Sequence, residues 1–307
     1  MKTVSVLVVS LIAACGPGNR GNGPGDDDTG PDATVVPPGD PQHCNKMDIV
    51  FVVDDSGSMA EEQSNLATNF PQFATLLSGF MTADGEHVDY RVAVTTTGRD
   101  MDYTISLGGT SLPQHESGDN GAFKNNCNMT KRYLEPTDAN MSTTLACRAN
   151  VGTSGPGFEM PLLMSKWALS ERMMDNTNTG FLRDDALLAV VYLTDEDDGS
   201  VTTNNWVIGP TGGDPTPDWQ PADQVQFFDS LKGNRSKWAA GVIAGDGDCT
   251  SSFGAAVNAA RMKEFVNQAN SLGTTQATFS SICAGDLTVG LQAALNTFQA
   301  ACGQIIL

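Results

Sequence analysis

Asp54, Ser56 and Ser58 stand at positions i, i+2 and i+4, directly after the apolar run Met47–Val53. In an extended loop this spacing turns all three side chains to one side. A second oxygen-rich loop, Thr194-Asp195-Glu196-Asp197-Asp198, follows the apolar run Ala186–Leu193. Carboxylates and hydroxyls together suit a hard divalent cation: Mg²⁺, with Mn²⁺ or Ca²⁺ as alternatives, rather than Zn²⁺. The plainer role for Ser56 and Ser58 is to cap the helix that follows, whose first N–H groups need acceptors. Four consecutive acids, Asp195 to Asp198, repel one another unless solvent or a cation separates them. Glu196 reads as solvated. Asp197 or Asp198 is the candidate ligand of a second ion, expected to be Ca²⁺, with the turn Asp246-Gly247-Asp248 as a further contributor. An EF-hand is not matched, because the Gly falls early and no Glu closes the loop.

Other chemistries find little support. The chain has 3 His, and none is predicted to lie near Ser56 or Ser58, so a Ser-His pair is not expected. There is no GxSxG, no GxxxxGK[ST] and no helix-opening GxGxxG. Asp54 sits where a phosphoaspartate would, but Ser56 occupies the place of the second acid that such chemistry usually wants. The 36 acids against 17 Lys and Arg leave a formal charge of −19 over 307 residues. That balance disfavours nucleic acid and anionic lipid as direct surface partners. Trp167, Phe227, Phe228, Phe265 and the Met residues at 160, 164, 173 and 174 fit apolar helix faces better than a ligand site.

The elements that must position the two loops follow from periodicity. Met47–Val53 and Ala186–Leu193 are nearly continuous apolar runs, the pattern of strands buried on both faces. Tyr90–Thr96, Trp238–Ala244 and Thr275–Ile282 read as further strands, and Met101–Leu107 as a short strand close enough to Tyr90–Thr96 to pair as a hairpin. Helices are expected over Ala60–Met81, kinked or divided by Pro71, and over Phe158–Met174, Ala222–Leu231, Phe253–Ala269 and Leu287–Ala301. Residues 108–150 are polar and Asn-rich and read as an insertion stapled by a disulfide. Alternating strands and helices imply an α/β fold: a doubly wound, mostly parallel central sheet flanked by helices, with one short antiparallel edge strand. Ligands of such sheets bind at the carboxyl ends of the strands, where both oxygen-rich loops emerge.

On these residues the chain resembles the von Willebrand factor A (vWA) family. The string FVVDDSGSM is similar to that family's first-strand metal motif, DxSxS, and the resemblance runs from about Asp48 to Ala301. It implies a Rossmann-like sheet and a metal-ion-dependent adhesion site. Asp54, Ser56 and Ser58 would take the DxSxS roles and Asp195 that of the second-loop Asp. A Thr from an intervening loop would complete the set: Thr153, with Thr97 or Ser154 as substitutes. It also implies a protein partner that offers a carboxylate to the metal, and no catalysis. The rivals are a metal-dependent surface hydrolase and a structural domain with a degenerate metal site.

The N-terminus adds a location. Lys2 precedes an eleven-residue apolar run, Val4–Ala14, too short to span a membrane and suited to a signal peptide. Small residues before Cys15 look like a bacterial lipobox, implying cleavage after residue 14, lipid on Cys15, and an outer-membrane position facing the cell surface or periplasm. Membrane contact would be through that anchor alone. Residues 16–43, with seven Gly, six Pro and five Asp, form an expected disordered linker, and residues 44–307 the folded domain. Six Cys remain, an even number that implies three disulfides in an exported chain. Fifteen pairings are possible; short loops suggest Cys127–Cys147 and Cys249–Cys283, leaving Cys44–Cys302 to tie the domain's ends. A Cys₄ zinc site is disfavoured because no CxxC spacing occurs.

Overall fold

The computed structural model describes residues 44–81, 85–209, 215–251 and 254–303. The signal segment, Cys15 and the linker lie outside the described residues. In chain order the elements are β1 (Lys46–Val53), α1 (Ala60–Ser78), β2 (Asp89–Thr96), β3 (Met101–Leu107), β4 (Thr110–Glu116) and α2 (Met141–Ala149). Then follow α3 (Pro161–Leu169), α4 (Glu171–Met174), β5 (Leu187–Leu193), β6 (Trp206–Ile208), α5 (Pro221–Lys232) and β7 (Trp238–Ala244). The chain closes with β8 (Cys249–Ser251), β9 (Gly254–Ala256), α6 (Ala260–Ala269), β10 (Ala277–Ser281) and α7 (Leu287–Cys302).

Five strands form one sheet in the order β10-β7-β5-β1-β2, and every neighbouring pair is parallel. Because side chains alternate along a strand, β1 feeds two cores. Ile49, Phe51 and Val53 face α1, α2 and α7, where Phe51 meets Phe70 and Phe73 with ring centroids 5.0 Å apart in each case. Val50 and Val52 face the other layer with Val190, Tyr192, Phe228, Trp238 and Phe265. The chain is thus a doubly wound α/β sheet. Its C-terminal strand ends gather the loops after β1, β2 and β5 on one rim.

Pro71 leaves α1 a single helix. Phe70 and Phe73 on either side are clamped against Phe51, which holds the helix across the missing backbone donor. Met101–Leu107 is a strand, but it does not return to β2. Arg99 is buried and donates to the Val201 carbonyl (2.8 Å), and the Asp102 amide donates to Asn204 (2.8 Å). This carries β3 towards residues 201–205, so the antiparallel pairing occurs in a separate sheet ordered β4-β3-β6. The expected helix over Phe253–Ala269 begins only at Ala260, because Gly254–Ala256 pairs with Cys249–Ser251 as a two-stranded hairpin. The segment Phe158–Met174 becomes α3 and α4, with Pro161 opening the first.

Cys44 joins Cys302, Cys127 joins Cys147 and Cys249 joins Cys283. The insertion is further held by Arg148, buried and donating to the carbonyls of Met129 and Lys131 (2.7 Å each). Among the described residues no helix is long and apolar enough to cross a membrane.

Candidate metal centre

The rim above β1, β2 and β5 is built around Asp54. Its amide continues the strand ladder to the Leu193 carbonyl (2.9 Å), which fixes its carboxylate in the gap between neighbouring strands. Oδ1 accepts from the Ser56 amide (2.8 Å) and the Thr97 hydroxyl (3.4 Å), and Oδ2 accepts from the Thr194 hydroxyl (2.7 Å). Thr97 comes from the end of β2 and Thr194 from the end of β5, so three strands converge on one carboxylate. The Gln63 side chain on α1 donates to the Asp54 carbonyl (2.8 Å) and locks the turn.

Ser56 and Ser58 bring their hydroxyls 2.9 Å apart, and Ser58 donates to Asp195 Oδ1 at 3.3 Å. Neither serine spends its oxygen on a helix cap: Ser56 precedes the short turn Gly57–Met59 without a side-chain cap bond, and α1 starts from Met59, also without one. Asp54, Ser56, Ser58 and Asp195 are therefore brought together, with Ser58 on the exposed side.

Thr153 is not brought to this cluster. It is exposed, as is Ser154, and among the described residues none of the cluster's hydrogen bonds involves either. The reason is backbone anchoring. The Gly155 amide donates to the Asp55 carbonyl (2.7 Å), and Gly155 lies so close that a Cβ would stand 2.2 Å from Asp55 Oδ1. The loop passes the rim on that side, leaving Thr153 in solvent. Thr97, the substitute, is wholly buried at Asp54.

The same loop delivers Glu159. Its carbonyl accepts from the Gly199 amide (2.8 Å), and the next amide, of Met160, donates to the Thr97 carbonyl (3.1 Å). Its side chain is 4 % exposed and shares a hydrogen bond with Glu196. Burial, then the nearby charges of Asp54 and Glu196, push the Glu159 carboxyl up to about 9. Sequence reading missed this residue by placing it inside an amphipathic helix. The signal was an acid just before Met160-Pro161, where Pro marks a helix start rather than its interior. Glu196, read as solvated, is half-buried and belongs to the rim.

Asp197 and Asp198 are corrected to structural roles. Asp197 accepts from the amides of Arg261 (2.9 Å) and Met262 (3.2 Å) at the start of α6. Asp198 is buried and accepts from the Leu162 amide (3.1 Å), the Ser200 hydroxyl (2.6 Å) and the Arg261 guanidinium (3.1 Å). Both carboxylates are occupied by helix N-termini and an arginine, which leaves no second cation centre there. Asp246 pairs with Lys263 (2.9 Å), and Asp248 accepts from the Asn258 amide (3.0 Å).

The electrostatics of the rim are one-sided. Burial pushes Asp54 up despite its three hydrogen bonds, and burial followed by the Asp54 charge pushes Asp195 up to about 7. Beside them Asp55 is pushed up to about 7 by burial and by Asp119. Among the described residues, no Lys, Arg or His hydrogen-bonds to or ion-pairs with Asp54, Asp195 or Glu159. Buried like charges without a counter-charge fit a cation. No three His, Cys, Asp or Glu groups among the described residues form a preset metal cluster. The fit instead depends on hydroxyls: two serines and a threonine share the space with the acids, an all-oxygen set suited to a hard ion.

His115 lies apart on β4, exposed, bonded to Asp102 (2.8 Å) and Ser117 (3.2 Å). The amide after that serine, Gly118, already donates to Asp100 (3.1 Å) and so does not serve a developing oxyanion.

No protein-family model matches the chain, and no curated protein does. Among solved structures the chain is similar to proximal thread matrix protein 1 from the mussel byssus with a zinc-occupied MIDAS motif (12% identity, TM-score 0.39, 85% of this chain and 49% of that one). It is also similar to the manganese-loaded TRAP protein of Plasmodium vivax (11%, 0.36, 83% and 74%). A third is the pilus adhesin SpaC from Lactobacillus rhamnosus GG (12%, 0.39, 85% and 31%). The chain spans about half the length of the mussel protein.

Proposed function

We propose that this chain is a vWA-type protein-binding domain whose rim takes a divalent cation, Mg²⁺ with Mn²⁺ or Ca²⁺ as alternatives. One observation carries the reading: buried Asp54, Asp195 and Glu159 crowd around the Ser56 and Ser58 hydroxyls with no cationic side chain to balance them. Ser56, Ser58 and Thr97 would supply neutral oxygens, and Asp54, Asp195 and Glu159 the charge. A bound divalent ion supplies an electrophilic position that a carboxylate from a partner protein completes. Asp54 orients the Ser56 turn through its amide, and Asp195 draws the Ser58 hydroxyl inward. Thr97 and Thr194 hold the Asp54 carboxylate so that it does not collapse onto its neighbours.

The setting belongs to the same proposal: export by residues 1–14, lipid anchoring through Cys15, a linker to residue 43, and display of residues 44–307 from the outer membrane. Binding without catalysis is the preferred role, with a hydrolase and a structural domain as rivals. Titration of the protein with Mn²⁺, in wild type and Ser56→Ala, tests it. Saturable binding weakened at least about tenfold in the variant is expected. Absence of binding in the wild type defeats the metal reading, and metal-dependent turnover across an ester and phosphate panel would replace adhesion by hydrolysis.

A further inference from the structure

A groove of about 540 Å³ opens directly beside the rim. Ser58 and Asp195 border both the rim and the groove, so whatever occupies the metal position is continuous with what fills the groove. Its other lining includes Glu196, Asp248 and Thr250, and the strip Ala255–Val257, of which Val257 is 48 % exposed. The charged groups lining it are all carboxylates. The neighbouring cations are already engaged: Lys263 with Asp246 (2.9 Å) and Asn258 (2.8 Å), and Arg261 with Asp198 (3.1 Å) and the Trp219 carbonyl (2.6 Å).

The groove has a fixed wall. The β8–β9 hairpin is tied to the end of β10 by Cys249–Cys283 and to the rim by the Val257 amide, which donates to the Asp195 carbonyl (2.9 Å). Beneath the wall lies Glu62 of α1, 2 % exposed, with Oε2 lacking a hydrogen-bond partner. Gly254 covers it so closely that a Cβ there would stand 1.5 Å from Glu62 Oε1. The wall is thus backed by a further buried acid, and the charge of Glu62 reaches Asp195.

We infer that the groove receives a lysine or arginine side chain of the partner, adjacent in its sequence to the acid that completes the metal site. This rests on the metal-site reading. The apolar strip Ala255–Val257 would cover the methylene stem, and Asp248 and Glu196 would face the charged head. A chain with a formal charge of −19 repels an acidic segment on approach, so an acid accompanied by a base is the complementary ligand.

Fluorescent peptides Gly-Asp-Lys-Gly, Gly-Asp-Gln-Gly and Gly-Asp-Glu-Gly serve as probes, read by anisotropy with the full-length protein saturated with Mn²⁺. The Lys peptide is expected to bind about tenfold more tightly than the Gln peptide, and the Glu peptide most weakly. Asp248→Asn keeps an acceptor for the Asn258 amide and should reduce the Lys preference while Mn²⁺ affinity stays within about twofold. Asp248→Lys should favour the Glu peptide. Equal binding of the three peptides, no binding of any, or a Lys preference unmoved by Asp248→Asn overturns the inference. Failure of Mn²⁺ to bind the wild type, read directly by titration without peptide, overturns the metal reading instead.

Discussion

Strand β1 carries a buried carboxylate towards each end, and the protein treats them in opposite ways. Asp48 is wholly buried and meets the Arg183 amide (2.6 Å) and guanidinium (2.8 Å). Asp54 is equally buried, but its partners are an amide and two hydroxyls. Burial raises both carboxyls; at Asp48 the arginine charge opposes it, while at Asp54 only neutral groups do. Asp198 repeats the first arrangement through Arg261. Acids with a full positive charge beside them are closing the fold. The rim acids, lacking one, leave an uncompensated field that an ion from solution can answer.

The comparison breaks most visibly by substitution at its two ends. Asp54→Ala should abolish saturable Mn²⁺ binding, a loss of at least about 100-fold, while Asp48→Ala leaves the affinity within about twofold. Asp48→Ala should instead cost about 3–5 kcal/mol in urea unfolding, because Arg183 is left without its partner. If both variants lose metal equally, the two ends do not differ in kind.

Proton linkage sharpens it next. Asp195 and Glu159 have folded-state values raised to about 7 and about 9, above their ordinary 3.8 and 4.5. For a raised acid, stability is present below the ordinary value and lost as pH rises through the folded one. The metal-free protein should therefore melt at lower temperature at pH 8 than at pH 5, and Mn²⁺ should restore more at pH 8 than at pH 5. A chelated protein whose melting temperature rises steadily from pH 5 to 8 contradicts this sign.

Smaller effects divide the rim itself. Glu159→Gln should weaken Mn²⁺ about tenfold by removing one charge, whereas Thr153→Ala should change neither affinity nor melting temperature. Comparable losses in the two would restore Thr153 to the site. Thr97→Ala should cost about 1 kcal/mol of stability, the worth of one buried hydrogen bond, with a few-fold loss of affinity measured in the same titration.

Much of this was legible in the chain. Apolar runs announced β1 and β5 as doubly buried strands, and Asp54, Ser56, Ser58 and Asp195 were readable because each follows its strand within a few residues. Short-range spacing is enforced by backbone geometry, so it survives folding unchanged. Hairpin and helix boundaries near Phe253 were less legible, since Cys249–Cys283 and Gly254 override local helical preference.

The primary structure alone determined the sheet type, the oxygen chemistry of the rim loops and the presence of six cysteines beyond residue 15. Folding decided that Glu159 arrives where Thr153 was expected, that Asp197 and Asp198 are consumed by α3, α6 and Arg261, and that an acidic groove adjoins the rim. Each of these depends on contacts between residues tens of positions apart, such as Gly155 with Asp55 and Met160 with Thr97. Periodicity reports which face of an element is buried. It carries no information about which loop end those distant hydrogen bonds pull over a strand.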